Sequence, residues 1–203
     1  MRLFKSLAEA SRVPLEVTAL KLNLKETVFP ESLFEFPNLS ELYLEGNCKN
    51  FPELKGAWRK LSTLSIKCPG ISADLSALFT LPSIINLKIL DTPMERFYLP
   101  LGVASWSLTS LTVKDCGLLN LPEEISMVTG LKEMNLSGNK LSKLPYSFPE
   151  LRNLKRLNLD GNEFSKFPDM VKSMPKLSHL SIDGNPFPEE ERDRIQRTFH
   201  LWL

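Results

Sequence analysis

One pattern of apolar residues recurs along the whole chain at a nearly constant interval. The segment LKEMNLSGN at 131–139 has apolar residues at its first, fourth and sixth positions and asparagine at its ninth, and LKRLNLDGN (154–162) and LSHLSIDGN (177–185) keep that order. The fourth position marks eight copies, at Leu20, Leu42, Leu64, Leu87, Leu111, Met134, Leu157 and Leu180. Because successive markers lie 22, 22, 23, 24, 23, 23 and 23 residues apart, one structural unit repeats along the chain.

Each copy is expected to contain one β-strand, because two of its apolar residues are separated by one residue and alternate side chains of a strand share a face. The pattern LxxLxLxxN at this period resembles the leucine-rich repeat family. The resemblance implies an α/β solenoid: a right-handed superhelix with a parallel concave sheet of about eight strands and short turns or helical turns on its convex side. The regular 23-residue copies and the LPEEI segment at 121–125 are most similar to the bacterial branch of the family.

Apolar–proline pairs recur after the strand segments and predict the shape of the convex side. The pairs are Phe29-Pro30, Phe51-Pro52, Leu121-Pro122, Leu144-Pro145 and Phe167-Pro168. Since proline has no N–H and a fixed φ, we expect these segments to form short turns rather than a second continuous sheet.

The ninth position of the repeat predicts a ladder of buried hydrogen bonds between turns. Its occupants are Lys25, Asn47, Pro69, Thr92, Cys116, Asn139, Asn162 and Asn185. In the family that the chain resembles, the asparagine side chain lies inside the bend and bonds to backbone groups. The resemblance therefore implies structural ladder residues at Asn47, Cys116, Asn139, Asn162 and Asn185, with local irregularity at Pro69 and Thr92.

The two ends of the chain are expected to cover the core of the terminal repeats. We predict a single domain over 1–203, composed of an N-terminal cap (1–14), eight repeats (15–185) and a C-terminal cap helix (186–203). Leu3, Phe4, Leu7 and Ala8 would lie on one side of a short N-terminal helix, and Ile195, Phe199 and Trp202 recur at helical spacing near the C terminus.

Two apolar segments leave alternatives open. The Phe97–Leu101 segment is out of register with the other apolar–proline pairs, which indicates either local repacking or an apolar surface for a partner or second copy. The segment Leu201–Leu203 either seals the last repeat or exposes an association surface. A monomer is the expected state, with weak self-association as the alternative.

Composition narrows the classes of function. With 25 Lys and Arg against 24 Asp and Glu, the chain has a net charge of +1, which argues against general nucleic-acid binding. No 18-residue apolar run predicts a membrane span, and charges in the first ten residues argue against a signal peptide, so we expect a cytoplasmic protein. Three cysteines are expected to be reduced core residues, and two histidines do not form a zinc motif, so no metal or cofactor is predicted.

Catalytic motifs are also missing from the sequence, which predicts a non-enzymatic protein. It contains no GxSxG, GxxxxGK[ST] or HExxH segment. His179, Ser181 and Asp183 occupy alternate positions of one predicted strand, and neighbours on one face of a strand are nearly 7 Å apart. We therefore expect them not to form a linear hydrogen-bonded triad.

The outward strand positions predict a binding patch on the concave face, which is the recognition surface in the family that the chain resembles. Its residues are Tyr43, Lys67, Lys88, Leu90 and Lys114, with acidic residues toward both ends of the face. Aromatic and apolar anchors among cations are typical of protein-binding surfaces. We expect an acidic or mixed-charge protein or peptide partner on a sheet about 34 Å long. The alternative is a solvated face whose charges only maintain solubility.

Three functions are compatible with these sequence features. The first is a binding module for a protein or peptide. The second is the substrate-recognition or regulatory part of a larger enzyme assembly, and the third is a secreted bacterial protein that interacts with a host. The last two follow from the family resemblance alone, because one fold serves many functions.

Overall fold

The computed structural model of the protein describes residues 2–54, 56, 58–71, 75–94, 98–99 and 107–199. Nine parallel strands form one sheet in chain order. The strands are β1 (Leu3–Phe4), β2 (Ala19–Leu24), β3 (Glu41–Gly46), β4 (Thr63–Lys67), β5 (Asn86–Leu90), β6 (Ser110–Lys114), β7 (Glu133–Asn135), β8 (Arg156–Asn158) and β9 (His179–Ser181). The predicted solenoid is confirmed, with one strand more than the eight copies supply.

The additional strand corrects the prediction for the N terminus. Leu3 and Phe4 do not belong to a helix: β1 pairs in parallel with β2, Leu3 beside Ala19 and Phe4 beside Leu20. Phe4 enters the core while Leu3 is exposed, which is the alternation of a strand. The helix α1 covers only Leu7–Ala10, and Ala10 rather than Ala8 is its buried residue.

Alternation along each strand separates the core from the opposite face. In β3, Leu42 and Leu44 are buried while Glu41, Tyr43 and Glu45 are half-buried. The inward residues of all the strands join one hydrophobic cluster that extends from Phe4 to Ile195. The repeats therefore share a single core, as stacked units without cores of their own require.

The segments between the strands are short, as predicted from the apolar–proline pairs. Described 3₁₀ helices occupy Glu31–Glu35, Ser76–Thr80, Glu123–Met127, Phe148–Glu150 and Asp169–Ser173. The apolar members Phe29, Leu121, Leu144 and Phe167 are buried, and Phe51 packs against the core. Among the described helices, none is long and apolar enough to cross a membrane.

The three C-terminal asparagines at the ninth position bond to backbone groups of two successive turns. Asn139 Nδ2 donates to the carbonyl oxygens of Val113 at 2.7 Å and Leu136 at 2.8 Å, and Oδ1 accepts from the N–H groups of Cys116 and Leu118 at 3.1 Å each. Asn162 and Asn185 make the corresponding Nδ2 donations one and two turns later, and each Oδ1 accepts from one N–H, that of Leu141 and that of Phe164 respectively. All three are nearly inaccessible, so these bonds satisfy backbone groups that water cannot reach.

Asn47 does not follow this arrangement. Its side chain is exposed, and the buried residue of that turn is Cys48, whose Sγ donates to the Asn50 carbonyl oxygen at 3.0 Å. The difference is local: β3 extends to Gly46, which has a φ of 121°, whereas β7 ends three residues before the corresponding Gly138, which has a φ of 69°. In the next copy the buried residue is Cys68, and Pro69 is exposed.

Thr92 and Cys116 continue the ladder with other chemistry. Thr92 is fully buried; its hydroxyl accepts from the Cys68 N–H at 2.9 Å and donates to the Leu90 carbonyl oxygen at 2.8 Å. The irregularity predicted at Thr92 is therefore absent from these bonds. The Cys116 thiol donates to the carbonyl oxygens of Ile89 and Lys114, and burial raises the pKa of Cys116 to about 11.

Strand length divides the sheet into two parts. The strands β2 to β6 have five or six residues, whereas β7 to β9 have three each. In β7 and β8 the last residue is an asparagine whose side chain bonds to the backbone two residues later: Asn135 Oδ1 accepts from the Ser137 N–H and Asn158 Oδ1 from the Asp160 N–H, each at 2.9 Å. A glycine with positive φ follows, and at Gly138 a Cβ would collide with the Asp115 carboxylate.

The helix α2 (Glu189–Phe199) follows the last repeat and is fastened to the preceding turn. Arg194 bonds to both Glu191 carboxylate oxygens and to Asp169, and Glu191 also accepts from the Phe167 N–H at 2.8 Å. Ile195 is fully buried. That α1 and α2 act as caps stays a prediction, as does the division of the chain at 14 and 186.

Acid should loosen α2 through this cluster. The hydrogen bonds from Arg194 lower the pKa of Glu191. Burial acts to raise the pKa of Asp169, but the hydrogen bonds from Lys172 and Arg194 outweigh it, so that this pKa is also lowered. Because both pKa values are lower in the folded state, the stabilisation is complete above about pH 5 and is lost as pH falls through them. We expect faster hydrogen exchange in 189–199 between about pH 5 and 3, after correction for intrinsic rates. Arg194→Gln should flatten this pH dependence, and an unchanged profile in that variant would contradict the assignment.

Two predicted association segments lie largely outside the described residues. Within Phe97–Leu101 the structure describes Tyr98, which is exposed, and Leu99, which is buried. The side chain of Phe199 and residues 200–203, including Trp202, are also outside that set. The predictions made for both segments therefore stay predictions.

Candidate partner-binding face

Strand pairing arranges the outward side chains of the concave sheet in rows. The central row is Lys21, Tyr43, Ser65, Lys88, Thr112, Asn135, Asn158 and Ser181, each paired with the next. Beside it lies a first row of Glu41, Thr63, Asn86, Ser110, Glu133, Arg156 and His179. Every one of these side chains is at least partly exposed, so the rows form a continuous polar surface.

The five residues of the predicted patch are at least partly exposed on β3 to β6, but two of its three lysines lie beside carboxylates. Lys67 Nζ lies 2.7 Å from the Asp91 carboxylate, and Lys114 Nζ lies 3.7 Å from that of Asp115. The bond to Asp91 raises the pKa of Lys67. In the described structure, Lys88 has no such carboxylate partner, and it lies two strands from Tyr43 in the central row. The patch of Tyr43, Lys67, Lys88, Leu90 and Lys114 stays a prediction.

Tyr43 also has a local partner. Its hydroxyl donates to the Glu41 carboxylate at 3.0 Å, and burial followed by this hydrogen bond raises the pKa of Tyr43. This hydrogen bond restricts the orientation of the Tyr43 side chain on the sheet.

Sequence reasoning missed Asp91 and Asp115. Each follows the last residue of a strand, β5 or β6, and has a positive φ, 45° at Asp91 and 54° at Asp115. Aspartate tolerates this conformation better than most residues, and an aspartate directly after a strand was the available signal. Their carboxylates lie beside Lys67 and Lys114 and balance the charge of these two lysines.

A hollow of about 820 Å³ lies on the C-terminal half of the sheet. Its lining includes Lys88 of β5 and the residues of β6 to β9 in the first and central rows. It also includes apolar residues beside the last repeat, among them the partly buried Leu177 and Leu180 and the buried Phe167. Of the predicted patch, Lys88 alone lines it. The patch and the hollow therefore overlap at one residue, and most of the hollow was not foreseen from the sequence.

The polar residues of the hollow are held by specific bonds. Ser181 Oγ donates to Asp160 Oδ1 at 2.6 Å, and Asp160 also accepts from the Asp183 N–H at 2.8 Å. Arg156 lies 3.8 Å from Glu133. His179 Nδ1 is 2.9 Å from Ser178 Oγ, so His179, Ser181 and Asp183 do not bond in series. In the described part of the chain, no three His, Cys, Asp or Glu residues are grouped to hold a metal ion.

Comparison with known proteins places this architecture in a family. The leucine rich repeat model matches residues 107–164, which cover β6 to β8. The disease resistance-like protein DSC1 of Arabidopsis thaliana is 31% identical over 149 residues, 70% of this chain and 12% of the relative. The chain is a leucine-rich repeat protein. It thus spans about one eighth of the length of this relative.

Solved structures share the fold of this leucine-rich repeat protein. An internalin (inlF) of Listeria monocytogenes is 16% identical, with a TM-score of 0.71 over 91% of this chain and 53% of its own. The structure of a TLR13-ssRNA13 complex gives 0.71 at 21% identity over 94% of this chain and 28% of its own. The structure of the Toll–Spatzle complex of Drosophila is 16% identical, with a TM-score of 0.69 over 90% of this chain and 28% of its own. With a plant relative beside a bacterial structure, the bacterial branch stays a prediction.

Leucine-rich repeat proteins of this kind are typically protein–protein interaction modules and are generally not enzymes. This coarse function fits the present chain, whose exposed sheet face has no helix on it among the described elements.

Proposed function

We propose that this protein is a non-enzymatic module that binds a protein or peptide partner through its concave face. The observation that supports this most directly is the exposed polar surface of β5 to β9, whose outward side chains line part of a hollow of about 820 Å³. A sheet of nine strands, spaced about 4.8 Å apart, is roughly 38 Å long, which is sufficient for an extended peptide or a protein surface. The described 3₁₀ helices follow the strands on the opposite side, so they leave this face open.

The structures with known partners support binding but differ in ligand class. Toll is seen in complex with Spatzle, and TLR13 in complex with single-stranded RNA. The prediction that nucleic acid is excluded rested on the net charge of +1, and the TLR13 complex means that this fold does not support such an exclusion. We favour a protein partner because the face has few cations without a carboxylate beside them.

A second candidate function is recognition within a larger assembly. The chain corresponds to 12% of the disease resistance-like relative and to 28% of the TLR13 chain, so in those proteins the matching repeats are one part of a longer polypeptide. A recognition or regulatory role beside other domains is compatible with the same concave binding face.

Matched substitutions on the two sides test the proposal. The concave variant combines Tyr43→Ala, Lys88→Glu and Lys114→Glu, and the control combines Tyr146→Ala, Lys143→Glu and Lys166→Glu on exposed positions outside the sheet. Binders are selected with the native protein from a phage library of genomic protein fragments. We expect the concave variant to weaken the selected fragments at least tenfold and the control to leave them within twofold, measured by biolayer interferometry.

The reverse result would remove the concave face from consideration. If fragments bind the concave variant normally and lose affinity only for the control, the opposite surface is the binding site. Circular dichroism melting of both variants ensures that a lost interaction does not reflect a lost fold.

A further inference from the structure

We infer that the central row within the hollow binds an acidic segment of the partner, with the side-chain amides of Asn135 and Asn158 donating to one carboxylate and Lys88 supplying positive charge. The inference rests on the proposed function and specifies the chemistry of its partner. It shifts the centre of recognition from the predicted patch on β3 to β6 toward β5 to β9.

The orientation of the two amides is fixed by the backbone. Asn135 Oδ1 accepts from the Ser137 N–H and Asn158 Oδ1 from the Asp160 N–H, each at 2.9 Å. Because an N–H group only donates, the atom that it meets must be the amide oxygen. Each NH₂ group is therefore left as a donor, without a described protein acceptor, on residues that line the hollow.

The two donors are placed to act together. Asn135 and Asn158 pair directly in register on β7 and β8, so their side chains are about 4.8 Å apart. At that separation, each amide can donate to one oxygen of the same carboxylate, and hydrogen bonds to a charged acceptor are stronger than neutral ones. Because each Oδ1 is already bonded to a backbone N–H before binding, both side chains are held in place and little rotamer entropy is lost on association.

The surroundings favour an anion over a cation. Lys88 lies two residues along the row from Asn135, with Thr112 between them, and has no described carboxylate partner. On the other side, Asp160 is not among the residues that line the hollow, and its carboxylate accepts hydrogen bonds from the Ser181 hydroxyl and the Asp183 N–H. Glu133 does line it, but Arg156 lies beside that carboxylate at 3.8 Å.

An acidic polypeptide fits this site better than RNA. Single-stranded nucleic acids are bound by many cations and by exposed aromatic rings on which bases stack. Among the described lining residues the one Phe, Tyr or Trp is Phe167, which is buried at 4% exposure. Neutral amide donors and one unpaired lysine suit isolated carboxylates rather than a continuous row of phosphates.

The test uses synthetic probes whose charge alone differs. Fluorescein-labelled dodecapeptides of alternating Glu and Ser, Gln and Ser, or Lys and Ser, together with a 12-nucleotide oligouridylate, are titrated with the full chain in low salt by fluorescence anisotropy. We expect the Glu–Ser peptide to bind most tightly. The double substitution Asn135→Asp with Asn158→Asp keeps an oxygen that can accept from each backbone N–H but removes both NH₂ donors. It should weaken the affinity for the Glu–Ser peptide at least tenfold.

A charge-matched control separates local from long-range effects. Asn50→Asp with Asn120→Asp adds the same two charges at exposed positions away from the hollow and should change affinity less than threefold. Lys88→Gln is expected to weaken binding about fivefold. Equal losses in the Asn135/Asn158 and Asn50/Asn120 variants would overturn the inference, as would tighter binding of the oligouridylate or of the Lys–Ser peptide.

The inference and the proposed function fail in different ways. If genomic fragments bind the concave face but neither they nor the Glu–Ser peptide respond to the Asn135/Asn158 variant, the acidic site is wrong and the module remains. If the fragments bind outside the sheet, the module proposal fails irrespective of the peptide result.

Discussion

Asn162→Ala should destabilise the protein by about 2 to 4 kcal/mol, because three buried hydrogen bonds would be lost and the Leu141 N–H would be left without its acceptor. The carbonyl oxygens of Leu136 and Leu159 would each keep one donor, Asn139 Nδ2 and Asn185 Nδ2 respectively. Asn162 Oδ1 accepts from the Leu141 N–H at 3.1 Å, and Nδ2 donates to the carbonyl oxygens of Leu136 and Leu159 at 2.9 Å each. No water can replace the side chain without entering the core, where Asn162 is 4% exposed. The free energy of unfolding from urea titration, followed by circular dichroism, measures the loss.

Asn47→Ala is the matched control, since both asparagines occupy the ninth position of the repeat. The exposed side chain of Asn47 makes no such bonds within the described part of the chain, and we expect a change within about 0.5 kcal/mol, as for most surface substitutions. Equal destabilisation of the two variants would mean that the consensus asparagine matters by its position in the turn and not by its buried hydrogen bonds.

Trp58→Ala is expected to cost about 3 to 5 kcal/mol through a different mechanism, the loss of an aromatic cluster. The Trp58 ring is 5% exposed and lies 5.1 Å from Phe34, 6.3 Å from Phe29 and 6.4 Å from Phe51, centroid to centroid. Its Nε1–H donates to the Leu33 carbonyl oxygen at 3.0 Å. Trp58→Phe retains most of the ring packing but not that bond, and should cost about 1 to 2 kcal/mol.

The location of the damage is as informative as its size. In a solenoid each repeat contacts only its neighbours, so the loss should be largest near the substitution. Hydrogen exchange measured by mass spectrometry should show strong deprotection of residues 29–61 and little change in residues 131–185. Uniform deprotection along the chain would instead indicate that the protein unfolds as one cooperative unit. Tyr146→Ala, at a side chain that is 90% exposed, serves as the control and should alter neither region.

The repeat period predicted the sheet because it determines which residues meet. Once Leu42, Leu64 and Leu87 are aligned, every outward residue has a known neighbour, and the observed register follows that alignment. The N-terminal strand escaped this reasoning because two residues, Leu3 and Phe4, are too few for a periodic pattern. Their pairing depends on the free edge of β2, which is a tertiary feature.

The positions that were predicted wrongly or missed depend on local backbone conformation. The exposure of Asn47 and the burial of Cys48 accompany the extension of β3 to Gly46, a difference in strand length that no spacing rule encodes. Likewise, the side-chain amides of Asn135 and Asn158 are oriented because β7 and β8 end at these residues and the N–H groups of Ser137 and Asp160 donate to their Oδ1 atoms. The geometry of the candidate site thus depends partly on the C-terminal ends of β7 and β8, and the sequence pattern does not show where these strands end.

The ladder bonds also bear on how such a chain can change over generations. Asn139, Asn162 and Asn185 each bond within their own turn and to the turn before, and to none farther away among the described contacts. Removing or duplicating one whole turn would bring equivalent partners together and leave the seam intact, whereas a gain of a few residues would not. Length in this protein is therefore counted in turns, and each added turn would lengthen the concave sheet by one strand and its outward side chains.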